Sequence, residues 1–183
     1  MVGARDLTPD EAREFLLEQK RGAIRVAGLI ALRGAQIGQL TASISCHGLD
    51  ASGSDLTSLP LGIQIESRLI LDNCAKLESL PEGLQCGSIS LRNCSYLSRL
   101  PEGLDTWFLD LSECRQFSTW PTKAMIHRGI LRLRNCTQVQ SLPCWLGLLA
   151  QLDLSGCAAL DEVPDGVRVS GWIDVGGANL KRL

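Results

Sequence analysis

The sequence predicts an α/β repeat solenoid: one parallel β-sheet built from short stacked turns, with a helix covering its N-terminal end. Three observations predict it. Six of the seven prolines, Pro60, Pro81, Pro101, Pro121, Pro143 and Pro164, are separated by 21, 20, 20, 22 and 21 residues. Five cysteines, Cys74, Cys94, Cys114, Cys136 and Cys157, keep the same phase. Ahead of each of these cysteines stands an L-x-L or I-x-L triplet. A fixed short period marks units that cannot bury their apolar faces singly and must stack.

Aligned on those phases, the units read LILDNCAKLESLPEGL, ISLRNCSYLSRLPEGL, LDLSECRQFSTWP, LRLRNCTQVQSLPCWL and LDLSGCAALDEVPDGV. Two frayed copies flank them, LDASGSDLTSLPLGI from Leu49 and IDVGGANLKRL from Ile173. A weaker copy, IALRGAQIGQL, begins at Ile30. The expected solenoid therefore covers residues 23–183 with about seven units and a fraction.

These motifs resemble the leucine-rich repeat family, whose pattern L-x-L-x-x-N/C is followed by L-P-x-x-L. The resemblance covers roughly residues 30–183. The short units with LPEGL are similar to the bacterial type, and LDLSGC is similar to arrays of plant intracellular immune receptors. The likeness implies a parallel sheet on a concave face, an extended or irregular convex side, and non-catalytic protein recognition through the concave strands.

The physics of the triplet agrees. In L-x-L the two apolar side chains fall on one face of a strand and the middle residue on the other. The second half of each unit also alternates, as in Ile63 and Ile65, Leu84 and Cys86, or Val167 and Val169. That pattern predicts an extended return segment, since a 20-residue turn leaves little room for a helix. Before the repeats, Thr8-Pro9-Asp10-Glu11 offers an N-cap, a proline at the first helical position and an acid at the third. Ala12, Phe15 and Leu16 form its apolar stripe, and Gly22 is the expected stop, so residues 1–22 read as a capping helix. At the other end, Lys181-Arg182-Leu183 closes the sequence inside a repeat with no recognisable cap. An open final strand would invite pairing along its edge.

Composition narrows the function classes. Lys plus Arg number 18 against 20 Asp plus Glu, giving a net charge of -2. A nucleic-acid module would need a clustered basic footprint. No apolar run reaches the roughly 20 residues of a membrane span, and residues 1–10 lack the segments of a secretory signal. A cytoplasmic protein is expected, with an effector secreted into a host cell as the alternative.

The five repeated cysteines are expected to form a structural ladder of buried, reduced thiols, each a weak S–H donor. Cys46 and Cys86 fall in an inward column and read as core. Cys144, in the variable position of the L-P-x-x-L corner, is expected to be the exposed thiol. Zinc finds no C-x-x-C pair, and His47 and His127 lie in different units. No metal or cofactor is expected. Cys46 and His47 are neighbours on an extended segment, so their side chains diverge and form no nucleophile–base pair. No catalytic residue is assigned.

What remains is the strand face opposite the Leu pair. Its middle column reads Ala31, Asp50, Ile70, Ser90, Asp110, Arg132, Asp153 and Asp174. The column beyond gives Arg33, Ser52, Asp72, Arg92, Ser112, Arg134, Ser155 and Gly176. The column before the pair gives Leu29, Gly48, Arg68, Ser88, Phe108, Ile130, Gln151 and Trp172. Arg92, Phe108, Asp110, Ile130, Arg132, Arg134, Asp153, Trp172 and Asp174 are the expected partner-binding residues, because Arg beside aromatic and aliphatic groups is the composition of an interface centre. The competing reading is a solvated face whose Arg and Asp pair across rungs, with about 0–1 kcal/mol for each exposed pair.

The unit from Leu109 to Ile130 breaks the pattern. Phe117 and Trp120 replace Leu, and Trp120 is expected to fill core volume while residues around His127 bulge as a contact loop. Trp107 and Trp172 lead into their strands and are expected to pack at corners. Two further roles stay open: the recognition part of an effector or ubiquitin ligase whose catalytic domain is absent, and a structural subunit or scaffold docked by its C-terminal edge strand.

Overall fold

The computed structural model describes residues 3–181; Arg182 and Leu183, on which the reading of the last unit partly rests, lie outside the described residues. Helix α1 spans Pro9–Leu17. Thr8 accepts from the Glu11 amide while the Glu11 carboxylate accepts from the Thr8 amide, so two otherwise orphaned donors are satisfied reciprocally. Ala12, Phe15 and Leu16 are its buried face, and they pack on the first full strand of the sheet. The helix stops before Gly22, because Gln19 already takes a left-handed conformation with φ 57°. A two-residue strand, β1 (Arg5–Asp6), precedes the helix and joins the sheet. Both its residues are exposed, so no apolar alternation announced it.

Eight further strands complete one sheet: β2 (Ala23–Ala31), β3 (Ser43–Asp50), β4 (Gln64–Ile70), β5 (Ser88–Ser90), β6 (Leu104–Asp110), β7 (Ala124–Arg132), β8 (Leu148–Asp153) and β9 (Arg168–Asp174). All pairs are parallel and the spatial order is the chain order, β1 to β9. The fold is a parallel β-solenoid with one helix, so the α part of the expected class is confined to nine residues. The weak copy at Ile30 forms a full rung, with Ile30 and Leu32 wholly buried.

The register follows the columns read from sequence. Ile30, Leu49, Leu69, Ile89, Leu109, Leu131, Leu152 and Ile173 are successive partners, as are Ala31 through Asp174 and Leu29 through Trp172. The segment expected to return on the far side instead joins the sheet. In most turns it forms the first half of the same strand, bent through a corner where the register shifts, between Val26 and Leu29, Cys46 and Gly48, Thr106 and Phe108, and Leu149 and Gln151. Ile44 and Cys46 face inward before the corner, and Leu49 and Ala51 after it. The far side of the turns is irregular, with isolated bridges such as Gln39–Ser58 and Arg99–Thr119.

After each strand the chain turns through a left-handed residue. Gly34, Gly53, Asn73, Asn93, Glu113, Asn135, Gly156 and Gly177 occupy this column, with φ between 56° and 75°. One residue later come the cysteines. Each thiol donates to a backbone carbonyl of the preceding turn: Cys74 to Ala51 at 3.1 Å, Cys94 to Leu71 at 3.1 Å, Cys114 to Leu91 at 2.9 Å, Cys136 to Leu111 at 3.0 Å and Cys157 to Leu133 at 3.0 Å. All five are wholly buried, and all eight cysteines of the chain are free thiols. Burial pushes the Cys157 thiol up to about 11 and the Cys46 thiol up to about 12. Cys46 and Cys86 lie in the core, and Cys144 alone is exposed.

In the irregular unit, Phe117 is wholly buried and makes an edge contact with Trp120 at 4.9 Å. Trp120 is half-buried against the core and donates its indole N–H to the Ser141 carbonyl at 2.9 Å. No contact loop forms around His127. The residues there belong to β7, and the extra length is taken up at the corner, where Arg128 adopts φ 44° and Gly129 follows. No described helix is long and apolar enough to cross a membrane.

Candidate functional site

The outward face after the corner is built by β5 to β9. Ser88, Phe108, Ile130, Gln151 and Trp172 run along one column, and Ser90, Asp110, Arg132, Asp153 and Asp174 along the next. Parallel pairing places these residues one above another about 4.8 Å apart, so each rung contributes side chains to a common surface. Arg132 lies over the Phe108 ring, its guanidinium carbon 5.3 Å from the centroid, and pairs with Asp110 at 3.7 Å. An Arg stacked on an aromatic face keeps its charge while covering apolar surface.

The carboxylates of this face have a structural task as well. Asp110 accepts from the Ser112 amide at 2.9 Å, Asp153 from the Ser155 amide at 2.9 Å and hydroxyl at 2.6 Å, and Asp174 from the Gly176 amide at 2.9 Å. An Asp bonding the backbone two residues on fixes the turn that follows the strand. Asp110 is only 4% exposed, so it presents little surface to a partner and acts mainly through Arg132. Asp50 repeats the arrangement at the other end, holding Ser52 and pairing with Arg33 at 2.6 Å.

Arg92, Asp110, Ser112, Glu113, Arg132, Arg134, Asp153 and Trp172 line one shallow cavity of about 320 Å³. Six of the nine expected residues therefore meet at one place. Phe108 and Ile130 lie beside it in the neighbouring column, half-buried, and Asp174 lies at the exposed end on β9. Trp172 is 43% exposed, which overturns the expected corner packing. Glu113 enters the site unforeseen; its carboxylate accepts from Asn135 at 2.6 Å and Arg115 at 3.2 Å, and these contacts hold it below the usual carboxylate range, the Asn135 bond first. Its left-handed position, one residue before a ladder cysteine, was the available signal.

A second feature lies before the corner. Trp107 is 60% exposed and stacks on His127 at 5.0 Å, and His127 Nε2 sits 2.6 Å from Asp105. Trp107 is thus a surface residue and not corner packing. Among the described residues no cluster of three or more His, Cys, Asp or Glu is placed to hold a metal ion. No protein-family model matches the chain, and neither a curated protein nor a solved structure shows a significant match to it.

Proposed function

We propose that this chain is a leucine-rich-repeat module that recognises a partner protein through the outward face of β5 to β9, without catalysis of its own. The observation that carries the reading is the meeting of Arg92, Arg132, Arg134 and Trp172 around one open cavity on a rigid sheet. Arg and Trp are the residues that concentrate binding energy at interface centres, and a sheet of stacked rungs fixes the backbone that presents them, so no loop has to be ordered on binding. The repeat motifs and the short period support the family assignment.

The test is affinity capture from lysate of the source cell with wild type and with the Arg132→Glu, Arg134→Glu double variant, each checked for an unchanged melting temperature. A protein held by wild type and lost by the variant supports recognition at this face. Equal capture by both removes the face from consideration and leaves Arg132 and Asp110 as a structural cross-rung pair.

A further inference from the structure

A groove of about 640 Å³ lies on the other side of the corner, against β4 and β6. Gln64, Glu66, Gln85, Asp105 and Trp107 line it, and no Lys or Arg does. Its floor is a built recess. At Gly87 a Cβ would come within 2.8 Å of the Ser67 carbonyl oxygen, so the middle rung can carry no side chain there. The rungs on either side, bearing Glu66 and Trp107, are separated by two sheet spacings, about 9.6 Å.

The groups around the recess converge on one chemistry. His127 supports one face of the Trp107 indole, and Asp105 holds His127 in place, so the ring is braced while more than half its surface stays open. Glu66 Oε2 contacts His47 Nδ1 at 3.3 Å and Asp105 Oδ1 contacts His127 Nε2, which leaves one oxygen of each carboxylate without a hydrogen bond among the described residues. An indole face draws a cation through its quadrupole, and two carboxylates with no cation lining the same groove draw it by charge.

We propose that this groove binds the cationic side chain of a partner segment, a lysine or arginine inserted between Trp107 and Glu66. The surface is separate from the Arg-lined face after the corner, and the proposal does not depend on that face binding anything.

The full chain, labelled with ¹⁵N, is titrated with N-acetyl-arginine amide, N-acetyl-lysine amide and the neutral isostere N-acetyl-citrulline amide while the Trp107 indole N–H resonance is followed. The two cations are expected to move it saturably, with citrulline weaker by about threefold to tenfold. Glu66→Gln is expected to weaken arginine binding by a similar factor, and Gln85→Lys, which places a cation inside the groove, to abolish it. Citrulline binding equal to arginine, an unaltered affinity in Gln85→Lys, or no movement of the Trp107 signal at the solubility limit of the amides overturns the proposal.

Discussion

The inner column of the sheet and the column two residues before it obey opposite rules. Ile30, Leu49, Leu69, Ile89, Leu109, Leu131 and Leu152 are all wholly buried and vary only between Leu and Ile. The corner column runs Gly28, His47, Ser67, Gly87, Trp107, Gly129, Ala150 and Gly171. Inside, each side chain rests on an equivalent one above and below, so the volume allowed per rung is constant. At the corner the backbones converge unevenly. A Cβ on Gly129 would stand 1.6 Å from the Trp107 carbonyl oxygen, and one on Gly171 would stand 2.4 Å from that of Ala150. Glycine is demanded there by close approach, since neither position has the positive φ that otherwise favours it. Trp107, flanked in this column by Gly87 and Gly129, carries the column's large exposed side chain.

The inward face breaks most expensively, and Leu91 lies on it two residues beyond Ile89. Leu91→Ala removes a wholly buried side chain and is expected to cost about 2–5 kcal/mol in chemical denaturation. A loss under about 1 kcal/mol would contradict the stacked register. At the corner, Gly129→Ala is expected to cost about 1–3 kcal/mol by overpacking, whereas Gly147→Ala, with nothing within 4 Å of its Cβ, serves as the neutral control. Equal melting temperatures for the two variants would remove close approach as the reason for the corner glycines.

The cysteines of the interior sharpen the contrast through pH. An unfolded thiol ionises near about 8.5, whereas Cys157 and Cys46 in the folded chain are pushed up to about 11 and about 12 by burial. The folded state therefore retains these protons when the unfolded state has lost them. Their contribution is fully present below about pH 8.5 and is lost as pH rises through the folded values. Melting temperature is expected to fall progressively above pH 9, reversibly and without disulfide formation. Native thiol titration at neutral pH is expected to find Cys144 reactive and the seven buried thiols silent until denaturant is added.

The smallest expected effect lies at the turn that follows the strand. Glu113 holds φ 66° where other rungs have Asn or Gly. Glu113→Asn is expected to stabilise by about 0.5 kcal/mol, because Asn tolerates the left-handed region and its side-chain oxygen can still accept from Asn135. A destabilisation of similar size would show that the Glu113 contacts to Asn135 and Arg115 outweigh backbone strain.

Much of this molecule was legible in the sequence because a solenoid repeats one short rule. The Leu pair, the cysteine phase and the outward columns all follow from a strand period of two and turns of 19 to 22 residues, and the partners after the corner agree with them. Thr8, Glu11 and the Ala12–Leu16 stripe likewise announced α1 through local hydrogen bonding and periodicity. The clustering of Arg92, Arg132 and Arg134 followed from the same alignment, since outward residues in adjacent columns and nearby rungs share one surface.

Only the tertiary structure decided what happens across columns. Whether Asp110 faces a partner or closes a turn depends on the Ser112 amide and Arg132 lying within reach, which no spacing along one strand reports. The irregular unit shows the same limit: its length suggested a loop, but the corner absorbed it into β7 and brought His127 under Trp107, twenty residues earlier in the chain. The physical reason is that period and burial are set by each turn's own sequence. Corners and surface constellations are instead set by how closely one backbone settles on the next.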